Sequence, residues 1–158
     1  MALVSGGKDS CCSLMECAKR GHRVVAIANL HPQAAPSKEG AEQEESEVGS
    51  RDELDSFMFQ TVGWNVIQQS YAQCLGVPLF CRPINGTALS RSLHYNEEEE
   101  EKDETRTGGV RDEAENTEDE VEDLFQLLIH VKQQIPDVQA VCSGAIFSDY
   151  QRNRVEHV

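Results

Sequence analysis

Short apolar runs alternate along this chain with amphipathic stretches, and that alternation predicts the class of fold. Ala2-Leu3-Val4 is an apolar run that ends at a glycine turn, as a buried strand does. Asp9 or Ser10 then caps a helix through about Arg20, with Cys11, Leu14, Met15 and Ala18 on one face. Lys19 and Arg20 suit the negative end of that helix, and Gly21 supplies the stop. Val24 to Ala28 is continuous and apolar, like a strand covered on both faces. Leu54, Met58, Val62 and Val66 repeat every four residues and predict one long helix to about Leu75. Gly63 falls inside it, at a cost of about 1 kcal/mol against alanine. Leu79 to Ile84 reads as a third strand with Pro83 near its end. Thr117 and Glu120 have capping-box spacing, and Val121, Leu124, Phe125, Leu128 and Val131 follow at helical spacing until Pro136. Val138 to Ser143 is a fourth strand, and a further helix runs from Asp149 to Val158. Strand and helix alternate with crossovers long enough for parallel pairing, so the expected class is α/β: a Rossmann-like layered parallel sheet with right-handed connections.

Charge changes this picture in one place. The 158 residues carry a net charge of −14, but residues 96–123 hold fifteen Asp or Glu and three Lys or Arg, a local balance of −12. The rest of the chain is therefore nearly neutral. Residues 96–118 read as an acidic disordered insertion, because the run Glu97 to Glu101 repels itself. Residues 33–51, with Pro36, Gly40 and Gly49, read as a mobile loop. No basic stripe exists to neutralise a nucleic-acid backbone, and no apolar run approaches the length of a membrane span. The six cysteines form no CxxC or zinc spacing and read as reduced, half-buried thiols, and no basic-then-apolar leader opens the chain, which points to the cytoplasm. The length suits one domain.

The candidate chemistry lies in the first turn, Ser5-Gly6-Gly7-Lys8-Asp9-Ser10. A glycine pair between a strand and a helix turns backbone N–H groups toward an anion, and the helix N-terminus adds partial positive charge. Lys8 adds a full charge, while Ser5 and Ser10 add hydroxyl donors. The Walker P-loop pattern fails twice here: its first glycine would fall on Ala2, and its Ser or Thr on Asp9. Asp9 beside phosphates calls for a bridging Mg2+, or else serves as a structural cap.

This loop resembles the signature of the PP-loop ATP pyrophosphatases, which cleave ATP between the α and β phosphates after adenylating a substrate. Two longer stretches resemble one family within that group, the diphthine–ammonia ligases. They are Asp52-Glu53-Leu54-Asp55-Ser56-Phe57-Met58-Phe59-Gln60-Thr61-Val62-Gly63 and Gly144-Ala145-Ile146-Phe147-Ser148-Asp149-Tyr150-Gln151-Arg152-Asn153-Arg154-Val155-Glu156. Asp119-Glu120-Val121-Glu122-Asp123-Leu124 is similar to that family's helix start. The resemblance implies a single PP-loop ATP-binding domain over residues 1–158, of the HUP type, with sheet order 3-2-1-4-5. It also implies ATP-dependent amidation of diphthine to diphthamide on translation elongation factor 2. Ammonium would be the nitrogen source, and AMP and pyrophosphate would leave.

Under that resemblance, Ser5, Gly6, Gly7, Lys8, Asp9 and Ser10 hold the phosphates, with Lys8 catalytic and Asp9 on Mg2+. Ala28 and Asn29 cradle adenine from the end of strand two, and Gly144 and Ala145 face the phosphate loop across one crevice. Glu120 and Glu122 bind Mg2+, orient ammonium or touch the substrate's trimethylammonium, or simply stabilise a helix N-terminus. Ser148, Asp149 and Arg152 contact phosphate or substrate, with capping by Ser148 the alternative. Phe57, Phe59 and Trp64 pack in the core or form a cation–π site. The histidines show no ligand spacing.

The chain stops inside the helix after strand four. The expectation is therefore a domain incomplete at its C-terminus, with the fifth strand missing, no glutaminase domain, and a sheet edge that invites homo-oligomers. A regulatory or inactive nucleotide-binding form is the alternative function, and a PP-loop RNA-modifying enzyme is a weaker one.

Overall fold

The computed structural model describes residues 1–32, 54–56, 58–89 and 119–158. The expected loop 33–51 and the acidic segment 96–118 lie outside the described residues, as do Phe57 and Thr117.

The centre of the molecule is a parallel sheet in which β2 (Ile27–His31) lies between β1 (Ala2–Leu3) and β5 (Leu79–Pro83). The register pairs Ala2 with Ile27 and Ala28 with Phe80. On the free side of β1, Cys142 forms a parallel bridge to Ala2, accepting from Leu3 N at 2.8 Å and donating to Met1 O at 2.9 Å. The spatial order thus reproduces the first four positions of the 3-2-1-4-5 arrangement. Side chains alternate across β2, and the two faces bury different layers. Ala26, Ala28 and Leu30 join Val121, Leu124, Leu127 and Val131 of α4 (Glu120–Gln134), with Tyr150 and Val155 of α5 (Asp149–His157) against them. Ile27 joins Ala2, Val4 and Ile67 on the other face, against Leu14 of α1 (Lys8–Lys19) and Trp64 and Tyr71. The result is an α/β layered, Rossmann-like domain. No helix among the described residues is long and apolar enough to cross a membrane.

Several local expectations are corrected. Residues 54–75 are not one helix. Leu54–Asp55 (β3) and Gln60–Thr61 (β4) form an antiparallel hairpin, and helix resumes only as Trp64–Val66 (α2), a π-helical turn Ile67–Tyr71, and Ala72–Leu75 (α3). Gly63 is the N-cap, at φ +69, a left-handed conformation that a helix interior excludes. Within the four-residue spacing, Met58 is buried but Val62 and Val66 are more than half exposed, so the repeat marks no common face. The Ser56 hydroxyl closes the hairpin, accepting from Phe59 N at 2.7 Å and donating to Phe59 O at 2.8 Å.

The second strand lies three residues later than Val24–Ala28, because both of its neighbours pair with Ile27 and the residues after it. Helix α1 starts at Lys8 with Gly7 as N-cap; neither Asp9 nor Ser10 caps it. Met15, expected on the apolar face of α1, is 56% exposed. The cap of α4 is Asp119, whose carboxylate accepts from Val121 N at 3.2 Å. The fourth strand contracts from Val138–Ser143 to the single bridge at Cys142.

One connection went unforeseen. Asp123, buried in α4, accepts from Asn85 N at 2.7 Å, Gly86 N at 2.9 Å and Arg82 Nε at 3.1 Å. One donor from the end of β5 and two from the segment after it thereby anchor that segment to the first turns of α4.

Candidate active site

Helix α1 begins at a glycine N-cap with no side-chain cap, so its first-turn N–H groups keep their affinity for an outside acceptor. The preceding turn is organised by one side chain. Ser10 Oγ donates to Gly7 O at 3.0 Å and lies 3.2 Å from both Ser5 N and Ser5 Oγ. Ser10, only 4% exposed, thus holds the turn open from beneath. The turn opens onto a cavity of about 210 Å3 at the carboxyl ends of the parallel strands. Ligands in open α/β sheets collect at such ends.

The cavity brings together Ser5, Gly7, Asp9, Ser10, Ala28, Asn29, Gly144 and Ala145, all of them sequence-predicted. Gly144 permits that convergence: a Cβ there would lie 2.8 Å from Ser10 N and 2.9 Å from Ser10 Cα. Only a residue without a side chain lets the strand-four end approach the helix so closely.

The hairpin supplies a wall that sequence reasoning missed. Met58, Phe59, Gln60, Thr61 and Val62 all line the cavity, as do Gln151 and Val155 of α5. Val62 N donates to Ser5 O at 2.8 Å, so the hairpin's end rests on the turn Ser5–Ser10. Asn29 Nδ2 donates to Val4 O at 2.7 Å and to Thr61 Oγ1 at 3.1 Å, and Thr61 Oγ1 donates to Leu30 O at 2.6 Å. Asn29 therefore braces β1, β2 and the hairpin through its side chain, and its Oδ1 is buried with no partner. The signal available in the sequence was a polar Asn29 and Thr61 among apolar neighbours.

Other candidates stand elsewhere. Lys8 does not line the cavity; its ammonium pairs with Asp9 at 3.0 Å, and its side chain is 89% exposed. Gly6 lies behind the turn, where a Cβ would collide with the Val62 carbonyl. Ser148 caps α5, accepting from Gln151 N at 3.3 Å. Asp149 and Arg152 pair with each other at 2.9 Å on an exposed face. Glu122 is exposed and accepts from Gln126 Nε2 at 2.8 Å.

Glu120 does the opposite of Glu122. It is 1% exposed, and burial raises its carboxyl pKa above the ordinary value, against hydrogen bonds from Ser56 and the Met58 main chain that pull it down. Phe59 packs on the core while lining the cavity, and Trp64 stacks on His31 with centroids 4.2 Å apart. The cysteines are all free. Cys11 Sγ lies 2.7 Å from Tyr71 Oη, a contact that pushes the phenol up to about 12, and burial pushes the Cys142 thiol up to about 11. A thiol held above its usual range is a poor nucleophile at neutral pH. Among the described residues no three or more His, Cys, Asp or Glu gather to form a metal cluster.

Comparison with known proteins gives one consistent result. The chain is 42% identical over its whole length to diphthine–ammonia ligase of Schizosaccharomyces pombe, of which it spans 20%. It is 43% identical to diphthine–ammonia ligase of Homo sapiens over 99% of the chain, which is 47% of that protein. The Danio rerio diphthine–ammonia ligase is 40% identical over the whole chain and 49% of its own length. The chain therefore spans between about a fifth and a half of the curated relatives it matches. No family model and no solved structure matches it. Along its entire length the chain is similar to one segment of these longer diphthine–ammonia ligases.

Proposed function

We propose that this chain forms the nucleotide-binding part of an ATP-dependent, AMP-forming amide ligase that converts diphthine on translation elongation factor 2 to diphthamide with ammonium. The observation that carries this reading is the uncapped N-terminus of α1 opening, beside Ser5 and Ser10, onto the cavity at the strand ends. At about 210 Å3 the cavity is smaller than the roughly 300–1,000 Å3 of whole-ligand pockets, so it holds part of the nucleotide. The phosphates are the part that suits it, because backbone N–H groups and hydroxyls dominate that end.

A carboxylate does not react with ammonia, since its oxygen is a poor leaving group. Attack of the diphthine carboxylate on the α-phosphorus of ATP makes an acyl-adenylate and expels pyrophosphate. Ammonia then forms the C–N bond while AMP departs. The α1 amides and the Ser5 hydroxyl stabilise the leaving pyrophosphate, with Ser10 holding the turn beneath them. Lys8, on its flexible stem, exchanges Asp9 for a phosphate oxygen when nucleotide arrives. Asp9 lines the cavity and is the carboxylate that would meet Mg2+, an ion that typically takes one or two carboxylates plus phosphate oxygens and neutralises their charge.

The test is calorimetric titration with ATP, followed by incubation with ATP, ammonium and diphthine-bearing elongation factor. Nucleotide binding weakened in Lys8→Ala and Gly144→Ala, with AMP and amide formed together, supports the reading. Absence of ATP binding, or ADP as the product, overturns it.

A further inference from the structure

Among the described residues that line the cavity, Asp9 is the one charged side chain, and no Lys, Arg or His joins it. The side-chain N–H donors of that lining belong to three carboxamides, Asn29, Gln60 and Gln151. Asn29 is spent, because its Nδ2 donates to Val4 O and Thr61 Oγ1. Gln60 and Gln151 are not, since neither side chain is taken up by a hydrogen bond among the described residues. Gln151 stands three residues after the N-cap Ser148, where a glutamine can reach back to the cap's N–H. Its main-chain N donates to Ser148 Oγ at 3.3 Å, but its side chain does not return the bond and lines the cavity instead. Gln60 is exposed on β4, between Phe59, which packs on the core, and Thr61, which is bonded to Asn29.

These amides and the turn Ser5–Ser10 reach the cavity from different sides. Helix α1 packs through Leu14 on the sheet face that holds Ile27. Helix α5 packs through Tyr150 and Val155 on the face that holds Ala28 and Leu30, and Met58 and Phe59 of the hairpin belong to that same layer. Gln151 therefore approaches the strand ends from the face opposite α1, and the wall that carries Gln60 begins there too. In-line displacement at phosphorus sets the attacking and leaving oxygens on opposite sides. With the leaving pyrophosphate at the α1 turn, the attacking carboxylate belongs on the α5 side.

We infer that Gln151 and Gln60 bind the carboxylate that is adenylated, each donating an Nε2–H bond to its oxygens. The inference deepens the proposed amidation and rests on it for the identity of that carboxylate. One carboxylate oxygen forms the bond to the α-phosphorus while the bond to the α–β bridging oxygen breaks. The electron pair of the broken bond leaves with pyrophosphate, and no proton moves. Neutral donors orient this nucleophile without cancelling its charge, as a lysine or arginine partner would. The same amides suit the product, because a carboxamide both donates and accepts.

The test uses the full chain with ATP, ammonium and diphthine-bearing elongation factor. Gln151→Glu and Gln60→Glu each replace a donor by an anion of the same size, which repels the carboxylate. Each should raise the KM for the elongation factor about tenfold, the change that a lost hydrogen bond to a charged group produces. The Kd for ATP and the melting temperature should stay at the parent's values. Gln69→Glu adds the same charge at an exposed position outside the cavity lining and should leave that KM unchanged. An unchanged KM in either cavity variant, or an equal rise in Gln69→Glu, overturns the inference. Weakened ATP affinity in place of the raised KM also overturns it, because the amides would then serve the nucleotide. Where Gln151→Glu fails to fold, the exposed Gln60→Glu decides the matter.

Calorimetric binding of the elongation factor without nucleotide separates this inference from the proposed function. If the parent binds no ATP, the proposed function falls. Factor binding that weakens in Gln151→Glu and Gln60→Glu but not in Gln69→Glu then still supports the carboxylate site, and equal or absent binding overturns it.

Discussion

Helix α4 carries two buried carboxylates three residues apart, Glu120 and Asp123, and their surroundings differ in kind. Asp123 meets two backbone N–H groups and a guanidinium, and every donor comes from residues 82–86. Glu120 meets the hairpin on one side and keeps a bare oxygen on the other. The first arrangement closes a loop; the second leaves an acceptor unmet. Burial alone therefore does not make two acids alike. What separates them is whether the fold itself completes the hydrogen-bond set.

The sharpest way to break this comparison is Asp123→Ala. It leaves two half-buried N–H groups and Arg82 without this acceptor, and should cost about 3 kcal/mol. Denaturant midpoints measure the loss. A cost below about 1 kcal/mol would mean that the loop finds other acceptors and that Asp123 is no anchor.

Glu120→Gln should move stability the other way. Because burial raises the folded pKa above 4.5, the folded chain binds this proton more tightly than the unfolded chain. The stability so gained is fully present below the unfolded value and is lost as pH rises through the folded one. Near neutrality the variant should therefore be more stable than the parent by about 1 kcal/mol, the low end of the cost of a buried unpaired group. The gap should close on acidification toward pH 4.5. Thermal melts from acid to neutral pH test this, and a gap independent of pH would show that Glu120 does not titrate as its burial implies.

Arg82→Met gives the smallest effect. The arginine side chain is 38% exposed and both backbone donors to Asp123 remain, so a loss of about 0.5–1 kcal/mol is expected. A loss as large as that of Asp123→Ala would place the weight of the anchor on the ion pair instead of the loop amides.

The sequence by itself determined what is local. A short apolar run, a glycine pair and a helix with a glycine stop specify strand, turn and helix wherever they occur, so the turn before α1 and the α/β alternation were legible. Gly144 and Ala145 were placed opposite that turn through family resemblance, since no local pattern carries a distance of 140 residues.

Only the tertiary structure decided the hairpin. The spacing of Leu54, Met58, Val62 and Val66 satisfies a helix as well as a strand pair. What selects the strands is Gly63 in a left-handed conformation, Val62 bonded to Ser5, and Thr61 bonded to Asn29 and Leu30. Those partners lie some thirty to sixty residues away, so no window along the chain contains them. The contrast between Glu120, Glu122 and Asp123 was hidden for the same reason. Three acidic residues within one helical turn and a step look alike in sequence, and burial and partners belong to whatever packs against them.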